Sequence, residues 1–294
     1  MNRGRSIILA LAASALAGAL TGCERAASPN APPVPAAEPV TSAPKPAVRA
    51  PGDVARAPLL EQELAYGEAK SRNLVGFLAM PADAAEPLPG LIVIHEWWGL
   101  NDDVKALTRR LAAEGYVALA VDLYGGTAAK TPAEAEKLMT DVFAEPESAR
   151  GNLRQAYQYL DKYAFAPRIG SIGWAFGGGW SFETALQLPE ELDAMVMYYG
   201  PIVTDAAKLK PLQVPMLGLY GALDETTPAQ SVFAFRSLLT TQLQKNAKIL
   251  VYPNAKHAFA SPGERDYDAA IAAQAWTETV AFLNQNLKAK TAQP

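Results

Sequence analysis

The sequence predicts an α/β fold: a mostly parallel central sheet with helices on both faces. Two observations carry this. From about residue 58, short continuous apolar runs such as Leu91-Ile-Val-Ile94 alternate with longer amphipathic stretches. A strand buried on both faces reads as such a run, and its alternation with helical periodicity marks strands joined by crossover helices. The chain has 294 residues, 50% of them hydrophobic, enough for one sizeable core.

The elements follow in order. Residues 63–68 and 73–80 read as two paired strands. Residues 81–89, with Pro81 and Pro89, form a connection. The run 91–94 is a buried strand. Asn101 is placed to cap a helix from Asp102 to about Glu114, and Gly115 ends it. A second buried strand covers 117–121. Helical periodicity covers 132–143 and 147–163, a short strand 169–173, and a helix 177–188. Strands at 194–199 and 216–220, a helix at about 228–242, a strand at 248–252 and a long final helix at 266–288 complete the pattern.

The N-terminus is of another kind. Arg3 and Arg5 precede an apolar stretch from Ser6 to Leu20. A charged start followed by a short apolar core is the pattern of a secretory signal. The stretch ends in Leu20-Thr21-Gly22-Cys23, which resembles the lipobox of bacterial lipoproteins. That resemblance implies a signal peptide over 1–22 and lipidation at Cys23. Residues 23–57 are rich in Pro and Ala and cannot bury a core, so they predict a tether to a folded domain over 58–290. The expected setting is the cell envelope: exported, periplasm-facing, on the outer membrane, attached by lipid at Cys23.

Composition excludes several functions. The formal net charge of −4 gives no basic field for nucleic acid. The single cysteine rules out an intramolecular disulfide, and two histidines leave little supply for a metal site. Residues 125–131 resemble a phosphate loop, but Ala129 precedes Lys130 where such a loop needs glycine. No cofactor and no metal are expected, and the chain reads as a monomer.

In open α/β sheets, functional residues collect at the carboxyl ends of strands. Four suspect positions fall there: Glu96, Ala175, Asp224 and His257. Gly173-Trp-Ala-Phe-Gly177 lies between a strand and a helix with the Gly-x-nucleophile-x-Gly spacing of a nucleophile elbow. An acid at Asp224 and a histidine at His257 follow it in the α/β-hydrolase order. A histidine in that place serves as general base and acid, and the acid orients it.

Together with Ile94-His-Glu-Trp-Trp-Gly-Leu-Asn101 and Asp122-Leu-Tyr-Gly-Gly126, these segments resemble the dienelactone hydrolase (carboxymethylenebutenolidase) family over about residues 63–288. The resemblance implies an α/β-hydrolase fold and hydrolysis of small carboxylic esters or lactones by a Cys-His-Asp triad. It assigns His257 and Asp224 to that triad. Glu96 matches the glutamate that contacts the resting thiol, and the backbone N–H groups of Trp97 and Phe176 match the oxyanion hole. Trp97, Trp98, Tyr124, Trp180 and Phe259 are the aromatics expected to line an apolar substrate pocket, Trp97 and Phe259 foremost because they flank matched positions.

Two positions depart from the family. The nucleophile cysteine aligns with Ala175, whose methyl group cannot attack a carbonyl. Ser171 and Ser181 lie nearby in sequence but not at the apex. An arginine that in the family lies four residues after the catalytic histidine and binds substrate carboxylate is here Ser261. The sequence therefore leaves two functions open: a hydrolase whose nucleophile has been lost, by engineering or naturally, and a nucleophile-less lipoprotein that binds a small ligand.

Overall fold

The computed structural model describes residues 58–288. The expected signal segment, Cys23 and the whole of the tether over 23–57 lie outside the described residues.

The chain opens with a hairpin of β1 (Leu59–Ala69) and β2 (Arg72–Pro81), antiparallel with a bulge between Ala65 and Gly67. Then come β3 (Gly90–Ile94), α1 (Asp102–Ala113), β4 (Val117–Val121), α2 (Pro132–Ala144) and α3 (Pro146–Lys162). The second half holds β5 (Ile169–Trp174), α4 (Phe176–Gln187), β6 (Ala194–Tyr198) and a short α5 (Ala206–Leu209). It ends with β7 (Met216–Gly221), α6 (Ala229–Ser237), β8 (Ala247–Tyr252) and α7 (Ala269–Leu287).

Eight strands form one sheet in the order β1-β2-β4-β3-β5-β6-β7-β8. The hairpin joins antiparallel through β2 to β4, and every pairing from β4 to β8 is parallel. The order reverses at β3: the chain steps outward to β4, then returns to place β5 on the other side. A crevice opens at such a switch point, beyond the carboxyl ends of the two strands.

Strand residues alternate between two apolar layers. Ile92, Ile94 and Leu119 meet Leu153 and Leu160 of α3 on one face. Leu91, Val93 and Ala118 meet Val104 and Leu111 of α1 and Leu283 and Leu287 of α7 on the other. Both faces are thus covered, which is why these strands are apolar without a break.

Local chemistry sets the element ends. Asn101 caps α1 by accepting a hydrogen bond from the Val104 amide at 3.1 Å, as expected. Gly115 follows α1 at φ +91°, a conformation that glycine reaches without strain. The expected helix over 228–242 is instead α6 followed by a π-helical turn over Leu238–Gln242. The last helix starts later than expected, because Asp268 caps it on the amides of Ala270 and Ile271. The four-residue α5 carried no periodic signal.

Candidate active site

The turn from β5 into α4 holds Ala175 at φ +47° and ψ −110°, a region that non-glycine residues rarely occupy. Its flanks explain how it is held. A Cβ on Gly173 would stand 2.1 Å from the Gly177 carbonyl oxygen, and one on Gly177 would stand 2.3 Å from that of Ile94. Only glycines let α4 press this closely against β5 and the end of β3. The Ala175 amide donates to the Tyr198 carbonyl at 2.9 Å, fixing the apex to β6. Beneath it, buried Ser171 and Ser181 are hydrogen-bonded to each other at 2.8 Å. Their hydroxyls tie β5 to α4 rather than reaching the apex. Phe176 opens α4, so its N–H belongs to the first turn, which lacks intrahelical acceptors.

The loop after β7 supplies Asp224, whose side chain is fully buried. Its Oδ1 accepts from the amides of Thr226 at 2.8 Å and Thr227 at 3.0 Å. Its Oδ2 lies 2.8 Å from His257 Nδ1, on the loop after β8. Three hydrogen bonds thus hold the carboxylate, and the imidazole is oriented with Nε2 left for other chemistry. His257 and Ala175 line the same cavity, of about 650 Å³. The four suspect strand-end positions do not all meet there.

Glu96, after β3, lines a separate cavity of about 310 Å³ with Trp98, Trp174 and Ser261. Its Oε1 accepts from Ser261 Oγ at 2.7 Å and from Tyr199 Oη at 3.4 Å. Tyr199 and Ser261 are themselves 2.7 Å apart. Burial pushes the Glu96 carboxyl up to about 7; the Ser261 bond pulls the other way, and nearby Glu264 adds to the rise. Sequence reasoning missed Tyr199, which sits at φ +36°, lines the Ala175 cavity and places its ring 5.2 Å from that of His257. Nothing in its local sequence sets it apart from other core tyrosines.

His95 is fully buried and not in the cavity. Its Nδ1 donates to the Glu96 carbonyl at 2.6 Å and its Nε2 accepts from the Leu123 amide at 3.1 Å. Burial holds its pKa down, so it stays neutral and splices the loop after β3 to the loop after β4.

Trp97 and Phe176 follow strands that are neighbours in the sheet, with Ile94 opposite Gly173. The Trp97 carbonyl is held by Tyr124 Oη at 3.0 Å. The expected pocket aromatics need correction. Phe259 is fully buried among the rings of Tyr198, Tyr199 and Tyr252, because its loop folds down onto the core. Trp98 lines the Glu96 cavity, anchored by its indole N–H to Glu264 at 2.8 Å. Tyr124 lies in a groove on the β2–β4 side, its ring against His95 and Phe176. Of the expected aromatics Trp180 lines the Ala175 cavity, and Phe143, Phe176, Phe182, Ile202 and Val203 wall it with Trp180. Among the described residues, no group of three His, Cys, Asp or Glu side chains converges to hold a metal ion.

The model of the Dienelactone hydrolase family matches residues 74–287. The chain is 34% identical over 225 residues to Protein usf of Aquifex pyrophilus, covering 72% of this chain and 93% of that one. It is 32% identical over 232 residues to an Escherichia coli K12 protein described as "Putative carboxymethylenebutenolidase", covering 72% and 83%. Among solved structures, one from Klebsiella pneumoniae described as "Putative Dienelactone Hydrolase" superposes with a TM-score of 0.69 at 27% identity, covering 78% of this chain and 99% of that one.

Proposed function

The chain belongs to the dienelactone hydrolase family, and we propose that its site is that of a carboxylic-ester or lactone hydrolase whose triad lacks only the nucleophile. The observation that carries this is the 2.8 Å Asp224–His257 hydrogen bond, whose histidine shares a cavity with the strained apex at residue 175.

Each residue has a part in that chemistry. With a thiol at position 175, His257 takes its proton and later returns it to the leaving group. Asp224 keeps the imidazole in the required tautomer and stabilises its charged form. The amides of Trp97 and Phe176 face the negative charge that develops on the carbonyl oxygen. With Ala175 in place, no acyl-enzyme forms. What remains is water activated by His257, and triad hydrolases stripped of one member retain roughly 10³–10⁴-fold acceleration over water.

A second reading rests on Ala175 itself: a binding protein that holds a small ester or lactone without turning it over. One comparison separates the two. The full chain and its Ala175→Cys variant are assayed on a p-nitrophenyl ester and a small lactone. A gain of orders of magnitude that is lost on adding His257→Ala supports the hydrolase. A folded variant that stays inactive on both substrates favours the binding protein.

The proposal extends to the N-terminus: export, removal of residues 1–22, lipidation at Cys23, and a monomer tethered to the outer membrane. Incorporation of labelled fatty acid that is lost in Cys23→Ser, followed by membrane fractionation, tests the anchor.

A further inference from the structure

The cavity beside Ala175 has a charge pattern that narrows what can enter it. Its volume of about 650 Å³ is that of a small-molecule site. Phe143 of α2 stands over it, its ring 5.5 Å from Phe176 and 6.4 Å from Trp180. Phe143 is 57% exposed, although it is the aromatic at the cavity edge. The helix that carries it buries Ala135 fully and sets Met139 and Val142 half-buried against the core, leaving Phe143 on its open side. An exposed ring gains burial when an apolar group slides beneath it.

Apart from His257, the charged side chains in the wall are Arg150 and Glu183. Arg150 is already paired with two carboxylates. Its Nη2 donates to Glu183 at 3.0 Å, and its Nη1 donates to Glu147. One cation between two carboxylates leaves the cluster with net negative charge. Arg265, the other arginine near the site in sequence, has an 89% exposed side chain and pairs with Asp266. The position four residues after His257 is Ser261, whose hydroxyl is committed to Glu96. A ligand carboxylate therefore finds no unpaired cation at the cavity.

We infer that this cavity is a subsite for an uncharged apolar group of phenyl or short-acyl size, and that the Glu147–Arg150–Glu183 cluster at its edge turns away carboxylate-bearing ligands. The inference deepens the hydrolase reading, since it names the substrate class of the same site.

The full chain with Ala175 retained is suited to the test, because binding is measured without turnover. Calorimetry compares N-phenylbutanamide, a neutral uncleaved stand-in, with two analogues carrying a carboxylate on the acyl end or on the ring. The neutral compound is expected to bind at least about tenfold more tightly than either, a difference of 1.4 kcal/mol. Phe143→Ala is expected to weaken it about fivefold to tenfold, as burial beneath the ring is lost. Glu147→Gln with Glu183→Gln, the first at an exposed position and the second in the cavity wall, is expected to bring the carboxylates to within about twofold of the neutral compound at low salt. A carboxylate analogue that binds as well as the neutral compound overturns the inference, and so does failure of all three to bind. Hydrolysis of a short p-nitrophenyl acetate by Ala175→Cys reports separately on the hydrolase reading, so the two can fail independently.

Discussion

Ser261 donates a 2.7 Å hydrogen bond to Glu96 across 165 residues of sequence, and Tyr199 joins both hydroxyl and carboxylate. Burial is the largest influence and the neutral Ser261 hydroxyl offsets it only in part, so the Glu96 carboxyl rises from 4.5 to about 7. The sign of the linkage is definite. Between those values the folded chain holds a proton that the unfolded chain has released. Stability from this group is therefore full below pH 4.5 and falls as pH rises to about 7, by about 3 kcal/mol. Urea unfolding of the wild type and Glu96→Gln across this window checks it. The difference between them should grow in favour of Glu96→Gln as pH rises, and a pH-independent difference would refute the raised value.

Asp224→Asn separates folding from chemistry. The asparagine oxygen can still accept from the Thr226 and Thr227 amides, so the loop should keep its shape. The negative charge facing His257 is gone, and the amide can force the wrong tautomer. In the Ala175→Cys background, kcat should fall by about 10⁴-fold with little change in unfolding midpoint. An equal loss of stability would mean that Asp224 acts as a structural cap.

Gly173→Ala and Gly177→Ala address how the apex is held. Both new methyl groups would collide with backbone oxygens, which cannot rotate aside as a side chain can. Each should cost about 3 kcal/mol or more, read as a shift in the denaturation midpoint. An unperturbed midpoint would show that α4 can back away from β5.

Gly151→Ala is the opposite case. Gly151 lies inside α3 with open space where its Cβ would be. Alanine should raise stability by about 1 kcal/mol through helix propensity alone. Thermal unfolding of this single variant would decide it.

Much of the fold was legible because its signals are local. Leu91–Ile94 and Val117–Val121 are apolar without a break because both faces are covered, and Asn101 and Gly115 bracket α1 by chemistry confined to one turn. The spacing of Gly173, Ala175 and Gly177 was equally plain, since a close strand–helix approach tolerates nothing larger. The pocket was harder. Phe259 flanks His257 in sequence, yet its side chain turns into the core while the histidine ring faces the cavity. The wall of the Ala175 cavity comes from α2, α4 and the segment after β6; Trp180 was foreseen, but Phe143, Ile202 and Val203 join it only through the tertiary fold. Tyr199 and Ser261 were missed as partners of Glu96 for the same reason.

The turn at Ala175 has a consequence for the history of the site. A positive φ on a non-glycine residue costs about 1–3 kcal/mol, and this chain bears that cost with a side chain that does no chemistry. The geometry is therefore enforced by Gly173, Gly177 and the Tyr198 carbonyl, not by the residue at the apex. The turn is thus a property of its surroundings. Every alanine codon lies a single nucleotide from a serine codon, so a point mutation that puts a hydroxyl at the apex would find the turn already in place.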